Sequence, residues 1–227
     1  GPLTVNTQNF EFPASAPGEI VARYCNEMII FTNHSYIALS NLEFYSSAAE
    51  LKPWMISDLM HTRVIKVLRR AINFRDSHNE FASSVLSSVA NDLNGFLETL
   101  KSAILADSIA ALNTALIPII GRGPGLTPSG DDFLMGTMIA DKLSVQHSNC
   151  FEHLLIDAVS QRSTKISADI IKAASELELD ERLVTLYKFA VGQIELSDDD
   201  LSTALSWGGS SGLDFLSGLC WRISITK

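Results

Sequence analysis

With 227 residues, 46% of them hydrophobic, the chain is long enough to bury a large core, as one domain or two closely packed ones. A net charge of −9 argues against nucleic acid or an anionic membrane surface as partner, and no apolar run approaches the ~18 residues of a membrane span. Cys25, Cys150 and Cys220 stand apart without C-x-x-C spacing, which fits a reduced, cytoplasmic protein with neither a disulfide framework nor a zinc knuckle.

Residues 3–45 read as strands. NFEF (Asn9–Phe12) alternates polar and apolar, and MIIFT (Met28–Thr32) and YIAL (Tyr36–Leu39) are short β-prone runs joined by a turn at Asn33, His34 and Ser35. Ile20–Cys25 is read as a further strand. From Ser57 the period becomes helical. Leu59, Met60, Val64, Val67, Leu68, Ala71 and Ile72 share one face, and Arg63, Lys66, Arg69 and Arg70 read as a solvated one.

SHNE (Ser77–Glu80) is a capping box that opens a helix through Phe81, Val85 and Leu93, with Gly95 expected to break it. Asp107 is expected to cap the next helix, which ends near Pro118 and hands the chain to a glycine-rich loop. Beyond that loop and its helix, Asn149 can cap Phe151–Val159. Asp180 starts a helix closing at Gly192, and SDDD (Ser197–Asp200) is another capping box. A second glycine turn precedes the last helix, Leu213–Ile223. The pattern predicts an α+β protein: a small, mainly antiparallel N-terminal sheet, residues 3–50, packed on a larger, mostly helical body, residues 54–227.

The loop is the most informative stretch. GRGPGLTPSGDDFLMG (Gly121–Gly136) concentrates Gly121, Gly123, Gly125 and Gly130 with Pro124 and Pro128. Glycine admits φ > 0 and close approach of a ligand to the backbone, while proline stiffens the loop. Ser129 and Asp132 fit a capping box, which predicts a helix starting at Gly130. A glycine loop feeding a helix N-terminus gathers N–H groups at one spot and suits an anion.

The motif occurs twice. PSGDDFLMG (Pro128–Gly136) aligns without gaps on SSGLDFLSG (Ser210–Gly218), with six of nine positions identical. Shared capping rules explain the Ser and Asp of each copy but not Phe-Leu-x-Gly as well. Two helix N-termini around one pocket, with Asp132 facing Asp214, is the expected arrangement.

Two familiar motifs are excluded. The frame GLTPSG (Gly125–Gly130) carries Asp131 and Asp132 where a P-loop needs Lys and Ser or Thr. GGSSG (Gly208–Gly212) matches a nucleophile elbow, but a helix precedes it and no His follows His153. A polar pocket remains. Arg122, Thr127, Ser129 and the N–H groups of Gly130 and Asp131 can hold a carboxylate or phosphate oxygen, with Gly123 and Gly125 admitting it. Ser211 and Gly212 offer the same from the second copy. In RSTKIS (Arg162–Ser167), Thr164 and Lys165 are further contacts, although Ser163 or Thr164 also serves as a helix cap. Asp131, Asp132 and Asp214 are the catalytic candidates. They can orient an amide, take a proton, or together bind Mg²⁺. Asp132 and Asp214 also hold early helical positions, where a carboxylate stabilises the macrodipole.

The string G-x-G-P-G-L-T-P-S-G-D-D-F-L-x-G resembles the signature of a bacterial family long catalogued as a domain of unknown function. One branch is the AllH-type subunit of oxamate carbamoyltransferase, from allantoin degradation. The resemblance extends to RSTKIS (Arg162–Ser167) and GSSGLDFLSG (Gly209–Gly218), about the last half of the chain. It implies a subunit with protein partners, acting on small anionic metabolites: oxamate, oxalurate, phosphate and carbamoyl phosphate. The alternatives are a non-catalytic scaffold or regulatory subunit, and a Mg²⁺-dependent enzyme on another anionic metabolite.

Overall fold

The computed structural model describes residues 46–55, 57–74, 79–86 and 92–226, together with the backbone of residues 22–25, 28–31 and 36–38. The chain divides into two compact units, residues 3–46 and 47–227. Within the first, β1 (Ala22–Cys25), β2 (Met28–Phe31) and β3 (Tyr36–Ala38) pair antiparallel in chain order, with Cys25 opposite Met28 and Ile29 opposite Ile37. The strand expected at Asn9–Phe12 and the turn at Asn33–Ser35 lie outside the described residues.

The second unit is helical. In order it comprises α1 (Ser47–Glu50), α2 (Asp58–Ile72), α3 (Glu80–Leu86), α4 (Asp92–Leu105), α5 (Ile109–Leu116), α6 (Ser129–Lys142), α7 (Phe151–Arg162), α8 (Lys165–Ser175), α9 (Glu181–Ala190), α10 (Asp198–Ala204) and α11 (Ser211–Ser224). The expected α+β class is therefore corrected to a mostly helical one. The strands are three or four residues long, whereas helices make up most of the described chain from Ser47 on. Alternation over such short runs cannot set the class. The helical period governs nearly all of the chain from Ser47 on and buries the core.

Most starts follow their caps. The hydroxyls of Ser57, Thr164 and Ser197 and the carboxylate of Asp180 accept first-turn N–H groups of α2, α8, α10 and α9. Three expectations are corrected. Gly95 sits inside α4, where open space around it tolerates the residue. Ser108, not Asp107, caps α5. Asp107 instead adopts φ +46 and accepts from Ser148, Asn149 and Cys150. The N–H of Phe151 at the start of α7 goes to Ser148 Oγ rather than to Asn149.

Helices α6 and α11 are buried almost all round and form the centre of this unit. They pack side by side and parallel. At their N-terminal ends Thr127 Oγ1, in the loop just before α6, and Ser211 Oγ, in the first turn of α11, are 3.2 Å apart. Their last turns meet through Arg222, whose Nε donates to Asp141 Oδ1 at 2.7 Å. Around them, α2, α3 and α9 lie against α11, and α7 and α8 against α6. Among the described residues no helix is long and apolar enough to cross a membrane.

Candidate functional site

The parallel packing rests on the inner glycines of the repeat. A Cβ on Gly136 would overlap the carbonyl oxygen of Phe215, and a Cβ on Gly218 would overlap that of Phe133. The two contacts are the same contact made twice, once from each copy, so α6 and α11 approach as related halves. Glycine within a helix costs about 1 kcal/mol relative to Ala. Here it permits backbone contact that no other residue allows.

This packing sets the two helix N-termini beside each other. The first-turn serines do not cap, contrary to the expected capping box. α6 begins at Ser129 with Pro128 as its N-cap, α11 begins at Ser211 with Ser210 as its N-cap, and neither start has a side-chain cap bond. Instead the hydroxyls face one another across the junction, Thr127 to Ser211 and Ser129 to Ser210 at 3.4 Å. Four hydroxyls thus lie where two positive helix ends converge.

Beneath them lie the carboxylates. Asp132 and Asp214 are 3% and 0% exposed. Burial pushes the Asp132 carboxyl up to about 8. The charges on Asp214 and Asp131 add to the rise, and the hydroxyls of Ser211 and Thr127 oppose it. Its Oδ2 is buried without a hydrogen-bond partner among the described residues. Asp132 is therefore mostly protonated at neutral pH. Asp214 is oriented from the side: Oδ1 accepts from Asn79 Nδ2 at 2.7 Å, while Asn79 Oδ1 accepts the N–H of Ala82 and caps α3.

Other predicted residues are engaged elsewhere. Asp131 turns away from this floor. Its Oδ1 accepts from the Gly121 N–H at 2.8 Å, and its Oδ2 accepts from Ser163 and, at 2.7 Å, from Ser167. It ties the start of α8 to the start of α6. Three carboxylates are thus not assembled for Mg²⁺, and the described residues contain no cluster of three or more acidic, His or Cys ligands. Arg122 makes a two-point ion pair with Glu80, which raises its pKa. The N–H of Gly130 donates to Arg122 O at 2.8 Å and that of Asp131 to Pro128 O, so both are spent inside the loop. Thr164 caps α8 and donates to Leu126 O, and Lys165 is exposed on the first turn of α8. Gly123 and Gly125, at φ +103 and +104, form the exposed rim.

The structure extends the repeat beyond the aligned segment. Gly212 N–H donates to Trp207 O just as Gly130 N–H donates to Arg122 O. Gly208 lies against Ser211 as Gly123 lies against Ser129, both at positive φ. The first loop is three residues longer between these points, which an ungapped alignment cannot reveal. Asn79, Ser210, Ser163 and Ser167 were not singled out as site residues. Asn79 carried the one available signal, an Asn directly before a helical run.

The site thus defines a helical protein built on two related glycine-turn helices that bury a pair of carboxylates. Residues 119–223 match the model of a family described as oxamate carbamoyltransferase subunit AllH. That segment, which contains both glycine turns and makes up a little under half of the chain, is similar to the AllH-type family, in agreement with the resemblance of its motif. No curated protein and no solved structure is significantly similar to the chain.

Proposed function

We propose that the junction of α6 and α11 binds a small anionic carbamoyl compound, and that this chain acts with partner subunits in carbamoyl transfer between oxalurate and phosphate. The observation carrying this reading is the buried Asp132–Asp214 pair, one member protonated, beneath hydroxyls at two parallel helix ends. The positive helix ends and the hydroxyls of Thr127, Ser129, Ser210 and Ser211 take a carboxylate or phosphate oxygen. In the transfer step a phosphate oxygen attacks the carbamoyl carbon of oxalurate and the C–N bond to the oxamate nitrogen breaks. That nitrogen takes up the proton held by Asp132, releasing oxamate and carbamoyl phosphate, and the proton that hydrogenphosphate gives up on forming the new C–O bond restores the Asp132 carboxyl. A carboxyl near pH 8 is well matched to that proton transfer. Asp214, fixed by Asn79, accepts from the carbamoyl NH₂. Both carboxylates are covered in this structure, so the glycine loops must part to admit the substrate.

Thermal unfolding of the chain against oxamate, oxalurate, phosphate and carbamoyl phosphate tests the binding. A ligand at 100 times its Kd adds about 2.7 kcal/mol, a Tm rise of roughly 5–10 °C at this size. The expected result is a shift with at least one of these compounds, lost in a folded Asp132→Ala variant. No shift with any of them favours a second reading, a scaffold subunit. The ion-paired Arg122 and the internally bonded Gly130 and Asp131 speak for that reading.

A further inference from the structure

A second site lies away from the glycine turns. A cavity of about 450 Å³ opens between one face of α2 and the end of α9, lined among others by Leu59, Met60, Arg63, Lys66, Arg70 and Phe189. Arg63, Lys66, Val67 and Arg70 fall at i, i+3, i+4 and i+7 and so share one helix face. The cations expected to be merely solvated thus converge on a concavity.

Two of the three are fixed in place by main-chain carbonyls. Arg63 donates to Phe189 O at 2.9 and 3.2 Å and to Ile194 O at 3.3 Å, and Arg70 donates to Leu196 O at 2.9 Å. Both guanidinium groups stand over the Phe189 ring, at 5.8 and 5.6 Å from its centre. Among the described residues their ion-pair partners are Glu195 and Asp198, whose side chains are 75% and 68% exposed. Pairs of that kind contribute little and yield readily to another anion. No hydrogen bond or ion pair engages Lys66 among the described residues. Among the described residues, three cations against these two carboxylates leave a net positive pocket on a chain of charge −9. At its mouth Leu59 is 81% exposed.

We infer that this cavity binds a small organic anion with an apolar body, its acidic group on Lys66 between the two arginines and its apolar part against Leu59 and Met60. Preset guanidinium groups reduce the side-chain ordering that binding otherwise requires. The cavity volume suits a ligand of metabolite size. This site is independent of the carbamoyl-transfer reading.

The test is a fluorescence titration of the full chain with 8-anilinonaphthalene-1-sulfonate, a sulfonate carried on aromatic rings, using the parent protein and the Lys66→Glu and Leu59→Asp variants. Both positions are exposed, and circular dichroism checks that the variants are folded. The expected result is saturable one-to-one binding, displaced by benzoate and weakened at least tenfold in each variant. Absence of saturable binding, failure of benzoate to displace the dye, or parental affinity in either variant overturns the inference.

Discussion

Gly136 stands so close to the carbonyl oxygen of Phe215 that a single added methyl would occupy the same space. Because the oxygen belongs to the backbone of a buried helix, no rotamer change relieves the clash. Gly136→Ala therefore forces α6 and α11 apart, despite the better helix propensity of Ala. The expected loss is about 3 kcal/mol, at the upper end of overpacking costs, or a Tm drop of roughly 6–12 °C. Gly218→Ala strains the same junction from the other side, so the double variant should lose clearly less than the sum in denaturant unfolding. Simple additivity would mean that the two contacts are separate.

Asp132 gives the stability a pH signature. Its native pKa of about 8 lies above the ordinary 3.8, so the folded state holds a proton that the unfolded state releases between those values. Its contribution is complete below about pH 4, declines by about 1.4 kcal/mol per pH unit as pH rises, and is lost once pH passes about 8. Asn mimics the protonated carboxyl. Unfolding of Asp132→Asn followed from pH 5 to 8 should therefore show a shallower decline than the parent, with the variant more stable at pH 8. Parallel curves would mean that Asp132 is charged throughout.

Asp131 and Asp132 are neighbours in sequence and should separate in experiment. Asp131→Ala strands the Gly121 N–H and the hydroxyls of Ser163 and Ser167. It should cost roughly 2–4 kcal/mol by the usual penalty for orphaned donors. The Tm rise caused by oxamate or oxalurate should survive in the molecules that remain folded. A variant of parental stability that no longer binds would place Asp131 in the ligand site instead.

Asn79 joins the capping of α3 to the orientation of Asp214. Asn79→Asp retains a capping oxygen but adds a carboxylate beside Asp214. At neutral pH this should cost roughly 2–4 kcal/mol, because the buried Asp214 carboxylate loses the Asn79 donor and gains a like charge beside it, and carbamoyl-transfer turnover per folded molecule should fall at least tenfold with an altered pH profile. Equal turnover at equal stability would reduce Asn79 to a helix cap.

The sequence made the centre of this site visible through repetition. Asp132 and Asp214, with Gly136 and Gly218, recur at matched positions, and capping rules account for only part of the match. Adjacent acids were harder to separate. Asp131 and Asp132 point about 100° apart on a helix, so their roles depend on which neighbours the fold supplies. Ser163 and Ser167 reach Asp131 only because α8 packs beside α6. Asn79 reaches Asp214 across more than a hundred residues of chain for a similar reason. The sheet was overweighted for a different cause, since alternation over three or four residues registers as strand however small a share of the chain it covers.

The two copies are alike but not equal. Three extra residues lengthen the first loop, Arg122 stands where the second copy has Trp207, and Asp131 stands where it has Leu213. Two identical halves would receive a small molecule equally well either way round. Here the lip on the α6 side is charged and long, and the lip on the α11 side is short and aromatic. On the proposed function, a compound with a carboxylate at one end and an amide at the other would meet two distinguishable sides, and the junction itself would set its polarity.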